Sequence, residues 1–119
     1  MTDERDLSPE DVLADLKRGD ALLVDVREPA EFAYERIHGA LLHPLSTFEP
    51  KAIPTDGHRR VIFQCGSGKR SRKALDTYMK STGGDGAHLA GGLGAWKQAG
   101  LPCIRIDPST GNVIDSGKY

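Results

Sequence analysis

Apolar and polar positions alternate along the chain in two rhythms. Val12, Leu13 and Leu16 fall on one helical face, behind a helix start written out in full. Ser8 suits the N-cap and Pro9 the first helical position. Glu10 and Asp11 suit the positive end of the dipole, and Gly19 a left-handed stop. Ala21-Leu22-Leu23-Val24-Asp25-Val26 is instead a short continuous apolar run, the mark of a strand covered on both faces, as in a parallel sheet. Glu28 to Phe32 opens a short helix. Ala40-Leu41-Leu42 is a second strand, ended by Pro44, and Ser46 to Ile53 a weak helix. Val61-Ile62-Phe63-Gln64 is the third strand, β-branched and aromatic in series. Ser71 to Met79 carries an apolar stripe of Ala74, Leu75, Tyr78 and Met79, and the Gly83-Gly84-Asp85-Gly86 run breaks it. Ala87-His88-Leu89 is a fourth strand, and Leu93 to Ala99 a last helix before Gly100-Leu101-Pro102.

Strands and helices alternating through short links predict an α/β domain around a central, mainly parallel sheet flanked by helices. The length of 119 residues suits one domain over 1–119, with its core over about 8–102 and a C-terminal extension over 103–119. In that extension Asp107-Pro108-Ser109-Thr110-Gly111 is a turn between Ile104-Arg105-Ile106 and Asn112-Val113-Ile114. A small hairpin and a loose tail both fit it.

Composition narrows the function. No apolar run approaches the roughly 20 residues needed to span a bilayer. The opening Met1-Thr2-Asp3-Glu4-Arg5-Asp6 is charged, unlike a secretory signal, so the expectation is a cytoplasmic protein. A net charge of −1 provides no global field for nucleic acid or anionic membrane, and neither is expected as a partner. Without a secretory signal, Cys65 and Cys103 read as reduced thiols. The histidines, His38, His43, His58 and His88, lack metal-ligand spacing, so no metal is expected.

Chemistry concentrates at Cys65. It ends a predicted parallel strand, where α/β folds place their sites, and opens the loop Cys65-Gly66-Ser67-Gly68-Lys69-Arg70. Gly66 and Gly68 allow successive backbone N–H groups to face one concavity. A helix beginning near Ser71 adds its positive end, and Lys69 and Arg70 add full charges. Each feature favours thiolate over thiol. An ordinary cysteine, with pKa about 8.5, is only about 3% ionised at pH 7; lowering the pKa by roughly two units takes about 2.7 kcal/mol of differential stabilisation. The residues alone also admit a plainer account, in which Cys65 is a small buried hydrophobe, Gly-Ser-Gly an ordinary loop and Lys-Arg a solvated face.

Three separated stretches then resemble the single-domain rhodanese, or thiosulfate sulfurtransferase-like, family. They are Leu23-Val24-Asp25-Val26-Arg27-Glu28-Pro29-Ala30-Glu31-Phe32, the loop Cys65 to Ser71, and His88-Leu89-Ala90-Gly91-Gly92-Leu93 with Ala95-Trp96 through Leu101-Pro102. The likeness runs from about Ser8 to Pro102. It implies that Cys65 thiolate attacks the sulfane sulfur of a donor such as thiosulfate, releases sulfite and becomes a persulfide. A thiol or cyanide acceptor then takes the sulfur; a sulfur-carrier protein would also suit a cationic loop. The resemblance implies no cofactor. Gly66, Ser67, Gly68, Lys69, Arg70 and Ser71 bind the anion, and Asp25 and Arg27 play a supporting structural role. Glu35-Arg36-Ile37-His38-Gly39-Ala40 departs from the family's Gly-His-Ile-Pro-Gly-Ala without removing a catalytic residue.

Two other readings compete. Phosphatases and arsenate reductases of the same fold place their loop arginine one residue further along, whereas four residues separate Cys65 from Arg70 here. Rhodanese-like domains also serve as non-enzymatic interaction or regulatory modules, often after losing the cysteine retained here. Cys103 reads as an ordinary thiol rather than a relay, Trp96 as a core aromatic, and Arg59-Arg60 as solvated surface, docking of an acidic partner being the alternative.

Overall fold

The computed structural model describes residues 4–119. Thr2 and the other residues of the opening tripeptide, part of the predicted non-signal N-terminus, lie outside them. The order of elements is β1 (Asp6–Leu7), α1 (Pro9–Arg18), β2 (Ala21–Asp25), α2 (Pro29–Tyr34), β3 (Glu35–Arg36), β4 (Leu41–Leu42), β5 (Arg60–Gln64), α3 (Lys69–Thr82), β6 (Gly86–Leu89), α4 (Gly92–Gln98), β7 (Ile104–Ile106) and β8 (Val113–Asp115).

The caps written in the sequence are used as read. The Ser8 side chain accepts the Asp11 N–H at 3.2 Å, and Gly19 stops α1 at φ 74°. Five strands in the order β1-β6-β5-β2-β4 form one sheet, every pairing in it parallel. The apolar runs of β2 and β5 follow from burial on both faces. Leu23 and Ile62 pack with Val12, Leu93 and Trp96 on the side of α1 and α4. Val24, Val61 and Phe63 pack with Ala74, Leu75 and Tyr78 of α3 on the other. Trp96 is fully buried, its indole N–H donating to the Pro102 carbonyl at 2.9 Å.

The structure corrects several boundaries. The weak helix expected over Ser46–Ile53 is two 3₁₀ turns, Leu45–Thr47 and Pro50–Ala52, because prolines at 44 and 50 interrupt an α-helical ladder. Helix α3 starts at Lys69, so Lys69, Arg70 and Ser71 form its first turn rather than lying in or just after a loop. The extension takes the hairpin alternative: β7 pairs antiparallel with β8, and also with β3. Tyr119 folds back against the cluster beneath α1 and α4. Strands β1 and β3, two residues each, were not expected.

Candidate active site

β5 delivers Cys65 to the C-terminal edge of the parallel sheet, on the α3 side, with its side chain fully buried. The chain then turns through Gly66-Ser67-Gly68, and Gly68 caps α3 in a left-handed conformation, φ 101°. That turn brings the first α3 amides over the sulfur. Cys65 Sγ accepts N–H groups from Gly68 at 3.0 Å and Ser71 at 3.3 Å, and Ser71 Oγ lies 3.6 Å away. Burial pushes the thiol pKa up. The Ser71 hydroxyl and the Ser71, Gly68 and Ser67 amides push it down, and the net direction is down.

Helix α4 clamps the loop from behind. The Leu93 N–H donates to the Cys65 carbonyl at 2.8 Å and the Gly94 N–H to the Gly66 carbonyl at 3.1 Å. Gly92, at φ 60°, passes so close that a Cβ there would stand 2.6 Å from the Gly66 carbonyl carbon and nearer still to the Cys65 oxygen. A second close approach joins Gly68 to Gly91. The paired glycines are therefore a packing surface for the loop, a role that their position in the sequence motif signals.

The predicted cations are placed differently from one another. Lys69 is exposed on the rim. The Arg70 guanidinium is held by Glu31 of α2, Nη1 to Oε1 at 2.7 Å and Nη2 to Oε2 at 3.0 Å, leaving its remaining N–H groups for other acceptors. The Arg70 hydrogen bond is the main reason that the Glu31 pKa falls to about 2, and the same bond raises that of Arg70. No local signal marks Glu31 as a site residue, although it lies within the first motif.

Asp25 and Arg27 form a buried pair one strand away. Arg27 Nε and Nη2 donate to the Asp25 carboxylate at 2.8–3.2 Å, and the Arg27 N–H donates to Asp25 Oδ1 at 2.9 Å. Arg27 Nη2 also donates to the Glu35 carbonyl at 2.6 Å, where α2 ends. The pair thus joins the sheet edge to the helix that carries Glu31.

A further group lies behind Ser71. Its hydroxyl oxygen is 2.8 Å from His88 Nδ1, and His88 Nε2 is 2.6 Å from Asp6 Oδ1. Neither His88 nor Asp6 was a candidate. Cys103 is half-buried beside Glu35, and burial, then that carboxylate, raise its pKa. Arg59 pairs with Asp56 at the surface, as expected of a solvated residue, while Arg60 is half-buried. Among the described residues no His, Cys, Asp and Glu group could hold a metal ion, and no helix is long and apolar enough to cross a membrane.

The profile of the rhodanese-like domain matches residues 8–99, and the chain belongs to that family. An uncharacterized protein of Synechocystis is 45% identical over 95 residues, covering 78% of this chain and 52% of the relative, so this chain spans about half of that protein. A protein of Allochromatium vinosum named sulfurtransferase is 38% identical over 85 residues, covering 71% of this chain and 79% of the relative. Among solved structures, a Rhodopseudomonas palustris protein described as of unknown function and a possible tyrosine phosphatase superposes with a TM-score of 0.71. It is 29% identical, with 82% of this chain and 83% of that chain covered.

Proposed function

We propose that the protein is a sulfurtransferase in which Cys65 carries a sulfane sulfur as a persulfide. The observation that supports this most directly is the convergence of the Gly68 and Ser71 backbone N–H groups on a buried sulfur, with the Ser71 hydroxyl oxygen beside it. Donors fixed around one atom stabilise negative charge there without reorganising during reaction. They serve thiolate Cys65 in its attack on the donor sulfur, and serve it again as the leaving group when an acceptor takes that sulfur. Electrons balance without a cofactor: in thiosulfate the S–S bond breaks toward sulfite while a new S–S bond forms to Cys65. A thiol or cyanide acceptor completes the cycle, and a sulfur-carrier protein presenting a thiol meets the same requirement.

Within this reading the amides of Gly66, Ser67, Gly68 and Ser71, with Lys69 and the free N–H groups of Arg70, bind the anionic donor. Asp25 and Arg27 hold the frame. The chain acts as one domain, its terminal hairpin paired with β3 and Tyr119 packed against the core. Intact-protein mass spectrometry tests the reading. Mixed with thiosulfate, the chain gains the mass of one sulfur atom and Cys65→Ser gains none. Absence of that adduct with thiosulfate and with small persulfide donors rejects it.

The phosphatase alternative draws on the superposed structure's description, but the loop here is one residue short of the length those enzymes use. Efficient hydrolysis of p-nitrophenyl phosphate without persulfide formation would reverse the choice.

A further inference from the structure

Cys65, Ser71, His88 and Asp6 stand in an unbroken line: Sγ to Oγ 3.6 Å, Oγ to Nδ1 2.8 Å, Nε2 to Oδ1 2.6 Å. The chemistry of the groups sets the proton positions. An ionised carboxylate only accepts, so Nε2 facing Asp6 carries the hydrogen. In neutral His88 the Nδ1 lone pair is then left facing Ser71. The Ser71 hydroxyl donates to Nδ1, and its oxygen is open to the thiol proton of Cys65.

We propose that Ser71, His88 and Asp6 are a proton relay that converts the Cys65 thiol to the thiolate. The S–H proton moves to Ser71 Oγ as the Ser71 hydroxyl proton moves to His88 Nδ1. One S–H bond breaks, one N–H bond forms, and Ser71 ends with the single proton it began with. The products are a thiolate and an imidazolium. Every hydrogen bond in the line has reversed direction except the Nε2–H bond to Asp6, which now joins opposite charges. Run backwards, the relay returns the proton to a resting Cys65. Its logic is that of a nucleophile, base and orienting acid, with one hydroxyl inserted.

The surroundings suit a buried imidazole that changes charge. His88 is 5% exposed and lies in register with Phe63, two residues before Cys65. Facing it are Asp6 from β1, Cys65 through Ser71, and from α3 Arg72, whose Nη1 is 3.3 Å from Asp6 Oδ1. Arg72 opposes a second positive charge, and Asp76, 3.3 Å from Arg72 Nε, offsets it in part. Lys69 shares an open depression with Asp6, Arg72 and His88. The Gly68 carbonyl, 3.1 Å from Ser71 Oγ, is a second acceptor for the hydroxyl; while the hydroxyl points there the relay is idle.

The relay rests on Cys65 being a nucleophile, and its test needs no sulfur donor. In a Cys103→Ser background, the rate of Cys65 alkylation by iodoacetamide is followed against pH, together with the ultraviolet absorbance of the thiolate. His88→Asn keeps an amide where Nδ1 now meets Ser71 but does not titrate. It is expected to raise the midpoint of thiolate formation by about one unit, about tenfold slower alkylation below the midpoint, while leaving the high-pH plateau intact. A residue with a merely structural role would lower the rate at every pH and leave the midpoint alone; that result overturns the relay. Should His88→Asn not fold, nitrogen NMR of the His88 ring in the intact chain and in Cys65→Ser decides. The expected neutral form is the Nε2-protonated tautomer, and the ring nitrogens of the intact chain report a step from the ionisation of Cys65 that Cys65→Ser lacks. Identical pH dependence of the ring signals in the two proteins overturns the proposal. A persulfide that forms normally beside an unmoved midpoint fails the relay alone; a moved midpoint without any persulfide fails the sulfurtransferase reading alone.

Discussion

Replacing Gly92 by alanine isolates the contact between α4 and the Cys65 loop. Two costs add at this position. The first is conformational: φ is 60°, and an L-residue held there loses about 1–2 kcal/mol relative to glycine. The second is steric, because the new Cβ would lie 2.6 Å from the Gly66 carbonyl carbon and 2.7 Å from its oxygen. These neighbours are backbone and cannot swing aside, so the loop or α4 must move. Overpacking of this kind costs about 1–3 kcal/mol. The shift also strains the hydrogen bonds from Leu93 and Gly94 to the loop, each contributing about 1 kcal/mol. Gly83→Ala is the internal control, since Gly83 has φ 70° with nothing within 4 Å of an added Cβ. It bears the first cost alone. Urea denaturation should therefore show Gly83→Ala losing about 1–2 kcal/mol and Gly92→Ala about 2–5 kcal/mol or more once the strained hydrogen bonds are included, a large share of the ~5–15 kcal/mol typical of a domain. Alkylation of Cys65 should change in Gly92→Ala only, as the amides over Sγ are displaced. Equal losses in the two variants, with Cys65 unaltered, would refute the clamp.

Three further outcomes follow from the site. Arg27→Met leaves the Asp25 carboxylate buried without its partner, and should cost about 3–5 kcal/mol in urea denaturation. Cys103→Ser should keep sulfur uptake from thiosulfate and Cys65→Ser should lose it, as read by intact mass; equal loss would make Cys103 part of the chemistry. The Glu31 carboxyl should titrate near 2 by carbon NMR and return toward the ordinary carboxylate range in Arg70→Gln. Because its folded pKa is depressed, the pair's contribution to stability is full above the unfolded value of about 4.3 and is lost as pH falls through about 2. With the Arg70 and Glu31 side chains 38% and 39% exposed, solvent screening holds that contribution to about 1 kcal/mol or less.

The parts of the fold legible in the sequence are those whose signals are local. Ser8, Pro9 and Gly19 delimit α1 by their own backbone chemistry, and the runs of β2 and β5 announce burial without reference to a partner. Strands β1 and β3 carry no such signal. Two residues make a strand only because β6 or β7 lies alongside, and sequence periodicity has no purchase on so short a segment. The same divide runs through the site. Cys65 and its glycine loop are one contiguous phrase. Glu31 meets Arg70 across 39 positions, and His88 meets Ser71 only because β6 pairs with β5 in a register that sets it opposite Phe63. Within Ala87-His88-Leu89 that histidine reads as one more residue of a buried strand. The start of α3 at Lys69 is hidden for a related reason: the left-handed Gly68, not the charge pair, marks the boundary, and lysine and arginine are good helix formers that continue from it.

Helix α2 has no fully buried side chain. Its moorings described above are polar: Arg27 gripping the carbonyl at its end, and Arg70 gripping Glu31. One of these is sealed from solvent and the other is washed by it, so ionic strength acts on them unequally. Added salt weakens the Glu31 tether while the Asp25–Arg27 anchor keeps its hold. The cationic group beside a buried thiol is thereby fastened to a segment whose outer attachment loosens with the medium, and release of Glu31 frees the whole Arg70 guanidinium.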